Sequence, residues 1–419
     1  MSRAARALWG LFVLDAVLLT IVLQASGSDT IVRPVRRFFA AVQQTDSWRP
    51  MRLAEEYVGG GHDRPVYGEM LSARGVKFQY PMSSLLLTRH LNLSWLNGLS
   101  WFSVIVVIVA IWRILRRTGA GTPLEFRHDD PAVGLALIGL TLSFYPVVVA
   151  YSLGQIQAWV TALLALAVLA WVSERDDLAG VAVGLACLLK PTYGIFVVWA
   201  AVRRRTRFLV PLLGVVLLGT LAALVAYGWP DNVDYLTALR IMSRGGEAFY
   251  PNQSFNGFLN RLMGTADSLV FDRHAFAPYH PLVYAGTLTA FVALVGLALW
   301  LPARRGAAGT ALDFSILLLT VTLTSPIAWV HHYGVLLPIL AATAPVILTT
   351  RPWGRLTAPL LGVAYLAVSQ LLPPLDTAAG VLFGLPQSYV FAGALIILFS
   401  LYGSLRPTPP LPARVASPA

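Results

Sequence analysis

Apolar runs of roughly 17–25 residues, each long enough to cross a bilayer as a helix, recur from end to end of this chain. They lie at 7–27, 99–115, 131–151, 154–173, 207–229, 280–302, 311–329, 332–350, 356–373 and 388–405. Composition agrees. Hydrophobic residues make up 57% of the 419 and charged residues 12%, against about 25% charged in a soluble domain. The sequence therefore predicts an all-α polytopic membrane protein. Its net charge of +11 gathers largely in short links between the runs, as in the positive-inside pattern, and needs no nucleic acid to explain it. The lone Cys187 stands in an apolar run, so it can form no intramolecular disulfide and reads as packing. Residues 1–27 resemble a signal peptide with Arg3, Arg6 and a small-residue end at Ala25-Ser26-Gly27. The apolar run exceeds the usual 7–15 residues of such a core, so it reads as a retained first helix.

The segment 178–201 carries Lys190-Pro191 at its middle. Proline removes a helix hydrogen bond, and a charge at the bilayer centre is costly. With Arg3 and Arg6 inside, the 113–127 link, Arg304-Arg305, Arg351, Arg355 and Arg406 fall on the cytoplasmic side. Arg203-Arg204-Arg205 and Arg207 agree only if 178–201 enters and returns as two half-helices with Lys190 at the outer tip. The expected topology is then about 11–12 membrane segments with both termini inside. The expected organisation is one membrane domain, 1–405, with outward loops 28–98, 230–278 and 374–387, and a disordered cytoplasmic tail, 406–419. The inner links are too short for a nucleotide-binding fold.

Polar features gather on the outward face. Loop 28–98 offers Asp29, Asp46, Glu55, Glu56, Asp63 and Glu69 as bases for a hydroxyl. Residues 50–57 read as a helix with Pro50 in its first turn, so Asp46 is either its cap or a base. Phe78-Gln79-Tyr80-Pro81 reads as an interfacial anchor leading into the next helix. Gln155 and Gln157 open an apolar helix. Lys190, one of two lysines against 29 arginines, suits either a phosphate or a carboxylate partner. His331 and His332 point about 100° apart on a helix and chelate metal poorly, which favours a phosphate donor or an acid–base role. Asn252-Gln253-Ser254-Phe255-Asn256-Gly257-Phe258 and Arg261 supply amides and a guanidinium, or simply turns. Asp15, within the first run, reads as a hydrogen-bonded core carboxyl.

Taken in order, Phe78-Gln79-Tyr80-Pro81, Leu153-Gly154-Gln155, Leu188-Leu189-Lys190-Pro191, Asn252-Gln253-Ser254-Phe255-Asn256-Gly257 and Ser325-Pro326-Ile327-Ala328-Trp329-Val330-His331-His332 resemble glycosyltransferase family 87 of the GT-C class. The resemblance covers roughly residues 40–335. Met82 stands where that family has a second proline, and Asp46 lies outside the family's usual aspartate setting. The resemblance implies a GT-C-like bundle in the plasma membrane with its site facing the periplasm. It implies a polyprenyl-phosphate sugar as donor, a glycan or glycolipid as acceptor, and inversion without metal or cofactor. By the same resemblance Asp46 is the base, with Asp29 the alternative. Lys190, His331, His332 and Arg261 bind the donor phosphate, and Tyr80, Gln155, Asn252, Ser254 and Asn256 contact substrate. Two other readings stand beside it. One is a secondary transporter with a broken helix, although no internal repeat is present; the other is an envelope polysaccharide ligase or polymerase using a diphosphate-linked donor.

Overall fold

The structure, a computed structural model, describes residues 1–25, 29–127, 130–301 and 306–405. The expected disordered tail, 406–419, the Arg304-Arg305 pair and Arg406 lie outside those residues. Among the described residues the chain is helical throughout, with one isolated β-bridge between Asn252 and Trp329. Six helices among the described residues are long and apolar enough to cross a membrane: Arg3–Gln24, Leu93–Thr118, Thr206–Gly245, Pro281–Trp300, Val330–Thr350 and Pro386–Gly403. A bent pair can form a seventh span, and four shorter apolar helices complete the bundle. Large apolar side chains stay exposed on the outer helices, among them Leu14, Val17, Leu217, Leu218 and Val225. Water would penalise such a surface, whereas lipid tails accept it. The protein is an all-α polytopic membrane protein.

Three interruptions shape the bundle. The run 131–151 reads as one span, yet it splits at Phe144 into Pro131–Ser143 and Tyr145–Ser152, bent by 56°. Pro146 explains the split, because its ring excludes the carbonyl four residues back and it has no N–H to donate. The second break is the expected one. Helix Asp176–Leu189 ends at Lys190, whose backbone is extended (φ −148°, ψ 95°), and a 3₁₀ turn Pro191–Gly194 leads into Ile195–Val202. The two ends of this segment meet, with the Arg205 guanidinium 3.6 Å from the Asp176 carboxylate. Beside them the Trp171 and Trp199 rings sit 5.2 Å apart. The chain therefore returns to the side it left, and Lys190 marks the turn.

The third break was not legible as such. Residues from 230 onward read as loop, but helix Thr206–Gly245 bends at Gly228 (φ 75°) and continues to Gly245. Pro230 falls in the first turn of the continuation, where a missing N–H costs nothing. Asn232 Nδ2 donates to the carbonyls of Gly228 (2.7 Å) and Ala223 (3.1 Å), which the bend sets free.

The 28–98 segment folds as short helices, Asp29–Phe39, Trp48–Gly59, Gly68–Ala73 and Met82–Thr88. Its attachment to the 229–245 arm is specific. The Asp231 carboxylate accepts Val66 N–H (3.0 Å), and Asp234 accepts Tyr67 and Gly68 N–H (3.0 Å each). These are the orphan donors at the start of the Gly68–Ala73 helix. The 28–98 segment and the 229–245 arm are thus one folded layer. Beneath it Asp15 is the hydrogen-bonded core carboxyl the sequence suggests, taking bonds from Ser143, Ser369 and Gln370.

Candidate active site

Under that layer lies a cavity of about 1510 Å³. One small-ligand pocket usually measures roughly 300–1,000 Å³, so this one has room for two substrate heads. Its walls bring together Asp46, Tyr80, Gln155, Lys190, His331 and His332 from segments far apart in sequence.

Asp46 is placed by backbone pairing. Gln44, Asp46 and Ser47 donate their N–H groups to the carbonyls of Ser152 (2.9 Å), Leu153 (2.9 Å) and Gly154 (3.2 Å). The pairing requires glycine at 154. Its φ is +66°, and a Cβ there would sit 2.0 Å from the Gln44 carbonyl oxygen. Asp46 does not cap the following helix; the cap position falls to Ser47, whose side chain makes no capping bond. Gln155 Nε2 instead donates to Asp46 Oδ2. Ser47 Oγ donates to Gln155 Oε1 (2.8 Å) and accepts from Ile156 N–H (3.0 Å). With its proton committed to Gln155, Ser47 must accept from the Tyr80 hydroxyl, 2.7 Å away. Burial holds the Asp46 carboxyl above the usual carboxylate range, while the Gln155 bond and the charges of Arg273 and Lys77 pull it back. Tyr80 and Gln155 line the cavity, but their polar atoms are engaged with Ser47 and Asp46.

Lys190 faces the cavity with no carboxylate partner among the described residues, and lies within electrostatic reach of His331 and His332. The two imidazoles are tilted at 31°, with ring centroids 4.5 Å apart. His332 Nδ1 is 3.1 Å from the Trp329 carbonyl. A carbonyl only accepts, so Nδ1 carries the proton of the neutral ring and leaves Nε2 free.

Asn252, Ser254, Asn256 and Arg261 do not line the cavity. All four are buried and bonded to protein. Asn252 Nδ2 donates to the carbonyls of Glu247 (2.8 Å) and Pro326 (3.1 Å), and its Oδ1 accepts from Ala328 N–H (2.9 Å). Ser254 caps the helix Phe255–Met263 through Gly257 N–H (3.1 Å). Asn256 Oδ1 accepts from Glu247 N–H (3.2 Å), and Arg261 donates to Asn252 O and Ser388 Oγ (2.8 Å each). Substrate contact was the expectation for Asn252, Ser254 and Asn256, and donor-phosphate binding for Arg261; their bonds instead brace the 326–330 segment that leads to the histidines. Asp29 heads the helix Asp29–Phe39, and its side chain lies outside those described.

Several lining residues escaped the sequence reading. Arg49, Arg74, Lys77, Arg240 and Arg273 join Lys190 on the walls, against Asp46 as the one carboxylate among the lining residues. Lys77 is neutralised by Glu247 at 2.9 Å and lies 4.6 Å from each of the Phe271 and Phe276 rings. Arg74 pairs with Glu69 at 3.0 Å. Arg49, Arg240 and Arg273 have no carboxylate partner within salt-bridge distance among the described residues. One signal was available: both lysines of an arginine-dominated chain line this cavity. Such a wall attracts anions, and the one lining carboxylate, Asp46, shares the cavity with Lys190.

The family model described as Glycosyltransferase family 87 matches residues 78–326. A curated protein of Mycolicibacterium smegmatis, a polyprenol-phosphate-mannose-dependent alpha-(1-2)-phosphatidylinositol mannoside mannosyltransferase, is 31% identical over 243 residues. That alignment covers 54% of this chain and 52% of the relative, so the chain spans about half the length of the curated relative it matches. No solved structure matches.

Proposed function

The chain belongs to glycosyltransferase family 87, and from that membership we propose that it transfers a mannose-like hexose or a pentose from a polyprenyl-phosphate donor. The acceptor is an envelope glycan or glycolipid, and the reaction takes place at the periplasmic face of the plasma membrane. The acceptor hydroxyl attacks the anomeric carbon from the face opposite the phosphate, and its proton passes to Asp46. The anomeric C–O bond breaks as the new one forms, and its electron pair leaves on the lipid phosphate, inverting the centre. Lys190 faces the charge that grows on that phosphate, and His331 and His332 lie beside it; His332, whose neutral ring offers only an acceptor at Nε2, donates there only as the imidazolium. Preorganised donors aimed at developing charge are the largest contribution such a site can make.

One observation carries this reading. A single cavity holds one carboxylate among its lining residues, six lysine or arginine side chains and a histidine pair. Donor phosphate accounts for the Lys190 wall. Arg49, Arg240 and Arg273 remain for an acceptor with an anionic head, in keeping with the phosphatidylinositol mannoside named for the relative. Membranes containing the protein, incubated with labelled polyprenyl-phosphate mannose, should pass label to an endogenous glycolipid or glycan. Use of a diphosphate-linked donor alone would point instead to a polymerase or ligase, and solute uptake without transfer to a transporter.

A further inference from the structure

With Asp46 as the base proposed above, we infer that Gln155 is its positioning residue, locked in one amide orientation by a hydroxyl hub at Ser47. An amide can present either end to a carboxylate, and the wrong end repels it. Here the choice is fixed from the carboxylate outward. Asp46 Oδ2 only accepts, so Nε2–H₂ faces it and Oε1 is turned to Ser47. Ser47 Oγ then gives its one proton to Oε1 and accepts from Ile156 N–H and the Tyr80 hydroxyl, a set of bonds that the reversed amide could not complete. Donation to Oδ2 leaves Oδ1 for the substrate hydroxyl and fixes the plane of the carboxylate. The hub is rigid. Its backbone is clamped by the 44–47 pairing, Tyr80 is oriented by a bond from Tyr67 Oη to its carbonyl (2.6 Å), and Gly154 holds the turn.

The same amide sets when the base is ionised. Asp46 faces Lys77 from the first outer loop and Arg273 from the second, with Tyr80 acting on it through Ser47. Burial pushes the Tyr80 hydroxyl further up, so it stays protonated over the working range. Against that background the Gln155 donor favours the carboxylate, and its loss makes Asp46 harder to ionise.

The test is the pH profile of transfer by the full chain in membranes. Gln155→Leu, and the near-isosteric Gln155→Met in case leucine disturbs folding, should move the acid limb up by about one pH unit. Ser47→Ala should move it part of the way and Ser47→Thr, which keeps the hydroxyl, should restore it. Tyr80→Phe should leave the limb in place, because Ile156 N–H still fills the hub. Rates that fall equally at every pH in both Gln155 variants would overturn the positioning role. Asp46→Asn separates the two levels: if it retains transfer, the base assignment fails, whereas an inactive Asp46→Asn with an unmoved Gln155 limb refutes only Gln155.

Discussion

At the scale of single residues, Lys190 and Asp46 make opposite demands on the site. Among the described residues Lys190 has no carboxylate to neutralise it, so its removal should cost the interaction with the phosphate and little else. Losing one partner of a buried charge pair costs about 3–5 kcal/mol. Lys190→Gln should therefore leave the protein inserted while transfer falls by roughly two to four orders of magnitude, with Lys190→Arg rescuing only part. Single-turnover assays with labelled donor check this, and normal transfer by the glutamine variant would sink it. Asp46→Asn keeps an oxygen for Gln155 yet cannot take a proton. Transfer should fall at least about a hundredfold with donor binding intact. If Asp29→Asn shows that loss instead, the base sits on the other candidate. Lys190 stood out in the sequence because a charge beside proline interrupts an apolar run. Ser47, Arg240 and Arg273 did not, since their roles come from neighbours a hundred or more residues away.

At the scale of elements, the turn at Gly154 and the segment at Asp376 each carry a prediction. Gly154→Ala forces a Cβ into the Gln44 carbonyl and strains a positive φ. The 44–47 pairing should slip and carry Asp46 with it. A displacement near 1 Å can cost about a hundredfold in rate, so transfer should collapse while membrane insertion persists. In the link 374–387, Asp376 is buried at the end of Pro373–Asp376, and burial pushes its carboxyl from 3.8 up to about 8. The folded state thus holds a proton that the unfolded chain releases. That contribution to stability is complete below pH 4 and is lost as pH rises toward 8. Thermal unfolding in detergent should show Tm falling across that window, and Asp376→Asn should flatten the fall. The element pattern also shows where sequence reading reaches its limit. Pro191 and Pro146 are chemically alike, but only Pro191 had a charge beside it to signal the break. The amide run at 252–256 has the composition of a sugar-binding loop, and composition does not reveal whether amides point into a cavity or into their own backbone.

At the scale of the whole molecule, hydropathy made the bundle legible because lipid leaves no other way to satisfy a backbone. The folded layer over the cavity was far less so. Polar side chains and carboxylates at helix starts build it, and both resemble ordinary loop chemistry. Sidedness is the molecular property that the proposed donor depends on. In a Cys187→Ser background, a cysteine at Gly60 should react with an impermeant thiol reagent applied outside spheroplasts, and one at Gly306 should not. Labelling in the reverse sense would put the cavity on the wrong side for a donor in the outer leaflet.

Lysine scarcity makes this protein chemically addressable. Lys77 is held by Glu247 between two phenylalanines, so the side-chain amine most open to acylation inside the cavity is Lys190. A small amine-directed reagent should act almost as an active-site titrant. One acyl group at Lys190 should silence each molecule, saturating donor should shield it, and mass spectrometry of the 188–203 peptide should count occupied sites without any substitution.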